Sequence, residues 1–265
     1  MSGIRDRLKD RLYVATFSAN ALEMIAEYSV GMEINHTCIS NLLDSEPRTR
    51  EKLISNIRRD ISKSSADRLI LHGPFTEIHP VAIDDRVREL GMLRLNQAYE
   101  VCETFGIDKM IVHTGWLPFI YFKQYQAEKG AEFWKKFLED KPETFEIAIE
   151  NVLEDEPHML LDIVKAIGDE RAKLCLDIGH ANAMTAGLPV AEWIKLLGPH
   201  ISHFHLHNND GSGDSHSAFD EGSMDMEEIL KLIDDCCDES VTMTVEARDA
   251  MPCFTWLERR GYIQK

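Results

Sequence analysis

The chain has 265 residues, of which 44% are hydrophobic and 28% charged, and its formal net charge is -17 at pH 7. This length and composition are typical of one large globular domain, and no apolar run reaches the roughly 20 residues that a membrane-spanning helix needs. The strong negative charge disfavours nucleic acid as a partner, because phosphate binding depends on Lys and Arg side chains.

The amino terminus and the cysteines indicate the compartment. Charged residues begin at Arg5, and no apolar signal segment is present, so the sequence predicts a cytoplasmic protein without membrane association. The six cysteines are scattered without the paired spacing of a zinc site. We therefore expect them to be reduced and mostly structural.

Short apolar runs are spread along the chain and alternate with longer amphipathic stretches. The runs are mostly rich in β-branched or large apolar residues, and they predict buried strands at 12–17, 31–35, 68–72, 109–113, 146–150, 173–177, 201–205 and 241–246. Apolar residues at three- and four-residue spacing predict helices at 21–28, 48–62, 84–105, 132–138, 158–167, 189–197, 226–235 and 254–261.

Strands that alternate with helices fit either a doubly wound sheet or a (β/α)8 TIM barrel. Eight strands in a chain of this length favour the α/β barrel. Neither a Gly-x-Gly-x-x-Gly turn nor a Walker-type phosphate loop is present, which counts against the nucleotide-binding alternative. No linker or repeat divides the chain, so we expect a single TIM-barrel domain over residues 1–265.

The segment 114–129 is unusually aromatic, with Trp116, Phe119, Tyr121, Phe122 and Tyr125 close together. One interpretation is a lid that closes over a site. The other is a surface helix that packs through its aromatic side chains. The sequence leaves both interpretations open.

Metal-competent side chains stand at the ends of six predicted strands. They are His72, His113, Glu150, Asp177, His205 and Glu246. Each alone is ordinary, since a histidine at a strand end is often structural and an aspartate often caps a helix. In a barrel, however, the carboxyl ends of all strands meet at one mouth, where ligand and catalytic groups gather. Clustered carboxylates repel one another unless cations neutralise them, so the set predicts a divalent-metal site.

The alternation of side chains along a strand supports this interpretation. On the last strand, Thr244 and Glu246 share one face. On the seventh strand, His203, His205 and His207 share one face, and the apolar residues between them face the helices. We expect His203 to be packed inside the barrel, below the mouth.

An ordered set of motifs resembles the xylose isomerase-like TIM-barrel superfamily, which includes sugar and sugar-phosphate isomerases and epimerases and endonuclease IV. The motifs are spread over most of the chain and read LHGPF, IVHTG, AIENV, LCLDIGHAN, HLHNNDGSGDSH and VEA. Any one of them is weak, but the ordered set is specific for the fold and the metal site.

The resemblance implies a ligand set. The core ligands shared by the superfamily would be Glu150, Asp177, His205 and Glu246. The endonuclease IV branch implies two further groups of metal ligands, matched here by His72 with His113 and by His180 with Asp214 and His216. One to three divalent ions, zinc or manganese, would be bound, and Glu150 would bridge two of them.

Two features depart from the related sequences. Asn208 stands where an aspartate is common, which weakens a ligand role there and shifts the weight to His205, with His207 as a neighbour. The DNA-bending loops of the endonuclease IV branch, rich in basic and aromatic residues, are not identifiable.

Two functions follow from these expectations. The first is a metal-dependent isomerase or epimerase of a small sugar, sugar phosphate or related polyol, which works through an enediolate. Glu150 and Glu246 would act as base and acid, and His180 would hold a substrate oxygen. The alternative is a multi-zinc phosphodiester hydrolase acting on abasic DNA, as in endonuclease IV. The sequence does not indicate an oligomeric state.

Overall fold

The computed structural model describes residues 4–43, 47–185 and 187–265. Within them, eight parallel strands form a closed barrel in which each strand pairs with the next and the eighth pairs with the first. The strands are β1 (Leu12–Ala15), β2 (Gly31–Ile34), β3 (Leu69–His72), β4 (Lys109–His113), β5 (Glu146–Glu150), β6 (Ala172–Asp177), β7 (Ile201–Leu206) and β8 (Thr242–Val245).

Helices follow the strands and surround the barrel. They are α1 (Ile4–Arg11), α2 (Ala21–Tyr28), α3 (Pro47–Ser64), α4 (Asp85–Phe105), α5 (Lys123–Leu138), α6 (His158–Ile167), α7 (Ile178–Met184), α8 (Val190–Leu197), α9 (Met226–Cys236) and α10 (Ala250–Arg259). Two short 3-10 helices lie at Ser40–Leu42 and Gly198–His200. In the described ranges, no helix combines the length and apolar character needed to cross a lipid bilayer.

The predicted (β/α)8 TIM barrel is confirmed, and each predicted strand lies within two residues of its observed bounds. Two helices were not predicted, α1 and α7. Helix α7 has seven residues and starts directly after β6, so it is too short to show the apolar spacing of an amphipathic helix.

The aromatic segment combines a loop and a helix. Helix α5 starts at Lys123, well before the predicted position 132, and includes Tyr125. The preceding part is a loop closed by a hydrogen bond from Trp116 Nε1 to the backbone oxygen of Tyr121, 3.1 Å long. Phe119 in this loop has a φ of 67° and a fully exposed ring. The structure therefore matches the helix interpretation only for the second half of the segment.

The barrel interior is apolar in one layer and polar in the next. Tyr13, Ile70, Ile111, Ala148 and Cys175 form a small apolar cluster separate from the large core between strands and helices. The polar side chains at the carboxyl ends of the strands lie beyond this layer. The apolar cluster thus fills the barrel below the mouth with packed side chains, as is usual in such barrels.

A buried glycine on β2 allows a test of how tightly this apolar cluster is packed. A Cβ added at Gly31 would lie 2.3 Å from Cδ1 of Tyr13. We expect Gly31→Ala to lower the free energy of unfolding by about 1–3 kcal/mol, because the tyrosine ring must leave its packed position. Urea unfolding followed by circular dichroism measures this change.

Gly130→Ala provides the matched control for this experiment. Gly130 lies inside α5, and the nearest atom to an added Cβ is a methyl carbon of Val81 at 3.8 Å. Alanine in a helix interior is favoured over glycine by about 0.8–1 kcal/mol, so this variant should be as stable as the parent or more so. Equal stability of the two variants would contradict the packing described here.

Candidate metal centre

The Glu150 carboxylate is the centre of the mouth. It is fully buried at the end of β5 and is surrounded by four imidazoles. Its Oε2 lies 3.3 Å from His72 Nε2 and 3.1 Å from His113 Nε2. Its Oε1 lies 3.1 Å from His205 Nδ1 and 3.4 Å from His180 Nδ1. One carboxylate therefore faces two separate pairs of nitrogen atoms.

The distances within this group suit a shared cation. Two ligands that bind one tetrahedral zinc ion at about 2.0–2.1 Å lie about 3.3 Å apart. The separations of Glu150 Oε2 from His72 and His113 are close to that value. These three side chains, all from strand ends, form a first candidate group of metal ligands.

A second group lies on the other side of Glu150. His205 Nδ1 is 3.4 Å from Glu246 Oε2 and 3.7 Å from Asp177 Oδ2. All four side chains are buried. The structure therefore brings together the four residues that the sequence predicted as core ligands.

A third group lies nearer the surface. Asp214 Oδ2 is 3.3 Å from His180 Nε2 and 3.1 Å from His216 Nε2. His207 belongs to this group of possible ligands. Its ring stacks on that of His216 with centroids 3.9 Å apart. His207 Nε2 also lies 3.1 Å from both carboxylate oxygens of Asp177. His207 is therefore a candidate ligand between the second and third groups, whereas the sequence had placed more weight on His205.

Asp177 has two roles because α7 starts where β6 ends. Its Oδ1 accepts the backbone N–H of His180 at 2.7 Å, which caps the helix, as the ordinary interpretation of the sequence expected. Its backbone is held by the side chain of Asn151, which donates to the Asp177 oxygen and accepts from the Asp177 nitrogen, both at 2.9 Å. The cap and this amide fix the carboxylate inside the ligand cluster.

The loop that follows β7 is held by two asparagines. The Asn208 side chain donates to the backbone oxygens of Phe219 and Met224, so it anchors the loop and does not contact the ligand groups. Asn209 donates from its side chain to the backbone oxygen of Gly179 at 2.8 Å. The loop is thereby fastened to α7, and this attachment holds Asp214 opposite His180.

Three imidazoles are oriented by backbone carbonyl groups. His72 donates from Nδ1 to the backbone oxygen of Gly73 at 2.9 Å. His180 donates in the same way to Asn151 at 2.8 Å, and His216 to Glu246 at 2.7 Å. A carbonyl oxygen only accepts, so each of these rings carries a hydrogen on Nδ1 and turns Nε2 to the carboxylates, where this nitrogen would bind an ion. Metal-binding histidines have this arrangement.

The carboxylates affect one another strongly. Burial alone would raise the pKa of Glu150, but His205 and His113 hold that pKa well below its usual range. Burial raises the pKa of Glu246 to about 8; His205 opposes this rise, and the neighbouring carboxylates Glu33 and Glu150 add to it. In the absence of a cation, the cluster is therefore neutralised by protons on imidazoles and on Glu246.

The sequence interpretation missed Glu33. This carboxylate is fully buried in the barrel, with Oε2 3.3 Å from His203 Nε2 and from His205 Nε2. The signal was present, because an acidic residue stood in the middle of the predicted strand at 31–35. His203 itself lies inside the barrel as expected, with its two nitrogens bonded to the hydroxyls of Thr242 and Thr244.

The residues present fit a bound divalent ion. Among the described residues, Glu150 Oε2, Asp214 Oδ1 and His207 Nδ1 are buried atoms without a hydrogen-bond partner. Buried polar atoms without a partner cost free energy, so they usually mark an ion or water that satisfies them. Imidazole and carboxylate donors together are the set that zinc and related ions prefer.

Comparison with known proteins agrees with this description of the fold. A family model described as a xylose isomerase-like TIM barrel matches residues 31–252. An uncharacterized protein of Methanocaldococcus jannaschii is 30% identical over 181 residues, which cover 62% of this chain and 59% of that protein. A second uncharacterized protein of that organism is 24% identical over 222 residues and 80% of each chain.

Solved structures have the same architecture. A D-tagatose 3-epimerase-like protein has a TM-score of 0.71 and 23% identity, covering 95% of this chain and 96% of that one. A Thermus thermophilus protein soaked with zinc chloride has a TM-score of 0.74 and 22% identity, covering 95% and 97%. A family 2 AP endonuclease from Brucella melitensis has a TM-score of 0.70 and 13% identity, covering 94% and 98%. At these identities the similarity shows the fold alone.

Metal content tests the centre directly. We expect the purified protein, reconstituted with zinc or manganese, to bind at least one ion per chain. At a free ion concentration 100 times the Kd, binding stabilises the fold by about 2.7 kcal/mol, so a chelator should lower the melting temperature. Elemental analysis and thermal unfolding measure the two effects.

Two variants serve as controls for the metal experiment. Glu150→Gln should lose metal and the response to the chelator. His158→Gln should keep both, because His158 is 70% exposed and pairs only with Glu156 among the described residues. Less than one ion per chain in the reconstituted parent protein would refute the metal centre.

The close contact between Gly179 and His207 gives a second test. A Cβ at position 179 would lie 1.9 Å from Cε1 of His207, whereas a Cβ at Gly213 has no atom within 4 Å. We expect Gly179→Ala to displace the imidazole from Asp177 and to weaken metal binding, and Gly213→Ala to leave it unchanged. Isothermal titration with zinc compares the two, and equal affinities would contradict a part for His207.

Proposed function

The chain belongs to the family of xylose isomerase-like TIM barrels, and on this basis we propose that it is a divalent-metal-dependent isomerase or epimerase. Its substrate would be a small sugar, sugar phosphate or related polyol. One observation carries the proposal: Glu150 at the end of β5 and Glu246 directly after β8 both approach the same nitrogen of His205, at 3.1 and 3.4 Å.

This arrangement suits proton transfer at carbon. Because β5 and β8 are three strands apart in a barrel of eight, a substrate between them would present one face to each carboxylate. Glu150 would remove a proton from carbon on one face, and Glu246 would return one from the other face. A bound divalent ion would stabilise the negative charge that develops on the substrate oxygens during this transfer.

His180 would orient the substrate. Its Nδ1 donates to the Asn151 carbonyl, and its Nε2 faces Asp214 Oδ2 at 3.3 Å. Burial lowers the pKa of His180, but Asp177 and Asp214 raise that pKa well above its usual range, so Nε2 carries a hydrogen that it could donate to a hydroxyl oxygen of a sugar. Asn151 would therefore act indirectly, because it fixes both the ring of His180 and the backbone of Asp177.

The rim of the mouth favours a small, hydroxyl-rich substrate over DNA. Phe75 stacks on His113 with centroids 4.4 Å apart, and Phe17 contacts His216 edge-on. Such half-exposed rings can pack against the C–H face of a sugar. A hollow of about 510 Å³ beside the third group is lined by three carboxylates and by Arg248. This acidic surface would repel a phosphate backbone.

The second candidate is hydrolysis of a phosphodiester. Its support is the third ligand group, in which Asp214 and His216 complete a set with His180. Three neighbouring ions would activate water and offset the charge that develops on phosphorus. The acidic rim disfavours this candidate unless metal ions reverse the local charge.

Glu246→Gln tests the acid and base assignment. We expect it to reduce exchange of substrate carbon-bound hydrogen with deuterated water by about 10²–10⁴-fold, because an amide cannot transfer the proton. Much of the metal should stay bound through the other ligands. Proton NMR across a panel of ketoses and ketose phosphates follows the exchange, and elemental analysis follows the metal.

Glu221→Gln is the control, since Glu221 is an exposed carboxylate at the acidic hollow. It should exchange hydrogen at the rate of the parent protein. Full exchange by Glu246→Gln would show that the assignment is wrong. If the parent protein exchanges no substrate but cleaves a duplex with an abasic site, the second candidate replaces the first.

A further inference from the structure

We propose that Glu33 is a positioning residue that fixes a hydrogen of His205 on Nε2, so that Nδ1, which faces Glu150 and Glu246, would be the nitrogen that binds an ion. The inference rests on the proposed metal centre, because it assigns the nitrogen through which His205 would bind an ion. It concerns a residue of β2, one of the two strands that contribute none of the predicted ligands.

Glu33 has the contacts of a fixed acceptor. Its side chain is fully buried, and its Oε2 accepts the hydroxyl hydrogen of Thr244 at 2.6 Å. Its Oε1 accepts from the side-chain amide of Asn35 at 3.3 Å. His205 Nε2 lies 3.3 Å from the same Oε2 without the alignment of a full hydrogen bond, and it has no hydrogen-bond partner among the described residues. Glu33 is thus held in place on two sides, and it faces a buried nitrogen that has no hydrogen-bond partner among the described residues.

A chain of hydrogen bonds sets the direction of the hydrogens. Thr244 donates its single hydroxyl hydrogen to Glu33, so at its oxygen it accepts from His203 Nε2, 2.9 Å away. His203 then has its hydrogen on Nε2, and its Nδ1 accepts from the hydroxyl of Thr242 at 2.6 Å. The backbone oxygen of Ser202, 3.2 Å from that hydroxyl, is the longer alternative for its one hydrogen. All donors in this chain point towards Glu33. The carboxylate can therefore only accept from His205, which places a hydrogen on Nε2.

His205 differs in this respect from the other imidazoles of the centre. His72, His180 and His216 each donate Nδ1–H to a backbone carbonyl and face the carboxylates with Nε2. His205 faces them with Nδ1 instead, and its far nitrogen meets a carboxylate. A carboxylate accepts more strongly than a carbonyl group and makes the ring a better metal ligand.

Two substitutions at position 33 separate the acceptor from its charge. Glu33→Gln keeps the shape and an acceptor oxygen, and Glu33→Leu removes the acceptor. We expect zinc affinity to fall by about 10–100-fold in Glu33→Leu and by less in Glu33→Gln, the usual range for such outer partners of a ligand. Glu154→Gln is the matched control, since Glu154 is equally buried but bonds to Thr114 and to the backbone of Val152.

The tautomer is read by NMR of the zinc-loaded protein with 15N-labelled histidine. The expected spectrum shows His205 with hydrogen on Nε2 and with Nδ1 bound, and this pattern is lost in Glu33→Leu while circular dichroism shows a folded protein. The absorption bands of the cobalt-substituted protein should shift in both position-33 variants and not in Glu154→Gln. A His205 bound through Nε2, or wild-type zinc affinity in both variants, would overturn the proposal.

Failure of the metal centre can be told apart from failure of this inference. If the parent protein binds no divalent ion, the proposed function fails, and the metal-free protein still decides the role of Glu33. An Nε2–H signal of His205 that shifts in Glu33→Gln but not in Glu154→Gln then supports the contact. A signal that stays unchanged in every variant overturns it.

Discussion

The buried carboxylate of Glu150 is the interaction on which the rest of the mouth depends. An isolated carboxylate in the interior costs several kcal/mol, so it persists only where cations or imidazoles surround it. The four imidazoles around Glu150 come from three other strands and from α7, and they meet only when the barrel is closed. Closure of the sheet and assembly of the site are therefore a single event, and damage to one disturbs the other.

The sequence predicted those parts of the site that follow from strand ends and alternation. His72, His113 and Glu150 are final strand residues, and a strand period of two was enough to place them together. Alternation along the seventh strand also placed His207 on the inward face. Its contact with Asp177 could not be predicted, because it depends on a seven-residue helix and on a glycine that admits the ring. Glu33 was missed because its role depends on partners from β7 and β8, which only the closed barrel brings near.

The third ligand group separates the two candidate chemistries. His180 belongs to it through Nε2, and its Nδ1, which donates to the Asn151 carbonyl, lies 3.4 Å from Glu150. If this group holds an ion, His180 is occupied and cannot orient a sugar hydroxyl. If it holds none, His180 and Asp214 are available to a substrate. The third ligand group is therefore consistent with either chemistry, and the choice between them depends on whether a metal ion is bound there.

The contact between Gly179 and the ring of His207 also has a meaning for evolution. Two positions 28 residues apart in the chain cannot vary independently, because any side chain at 179 occupies the volume of the imidazole. In a lineage that loses the histidine, position 179 would no longer need to be glycine, and other residues would accumulate there. Among distant descendants of this fold, the second residue of α7 would then record whether the ring beside the metal cluster has been kept.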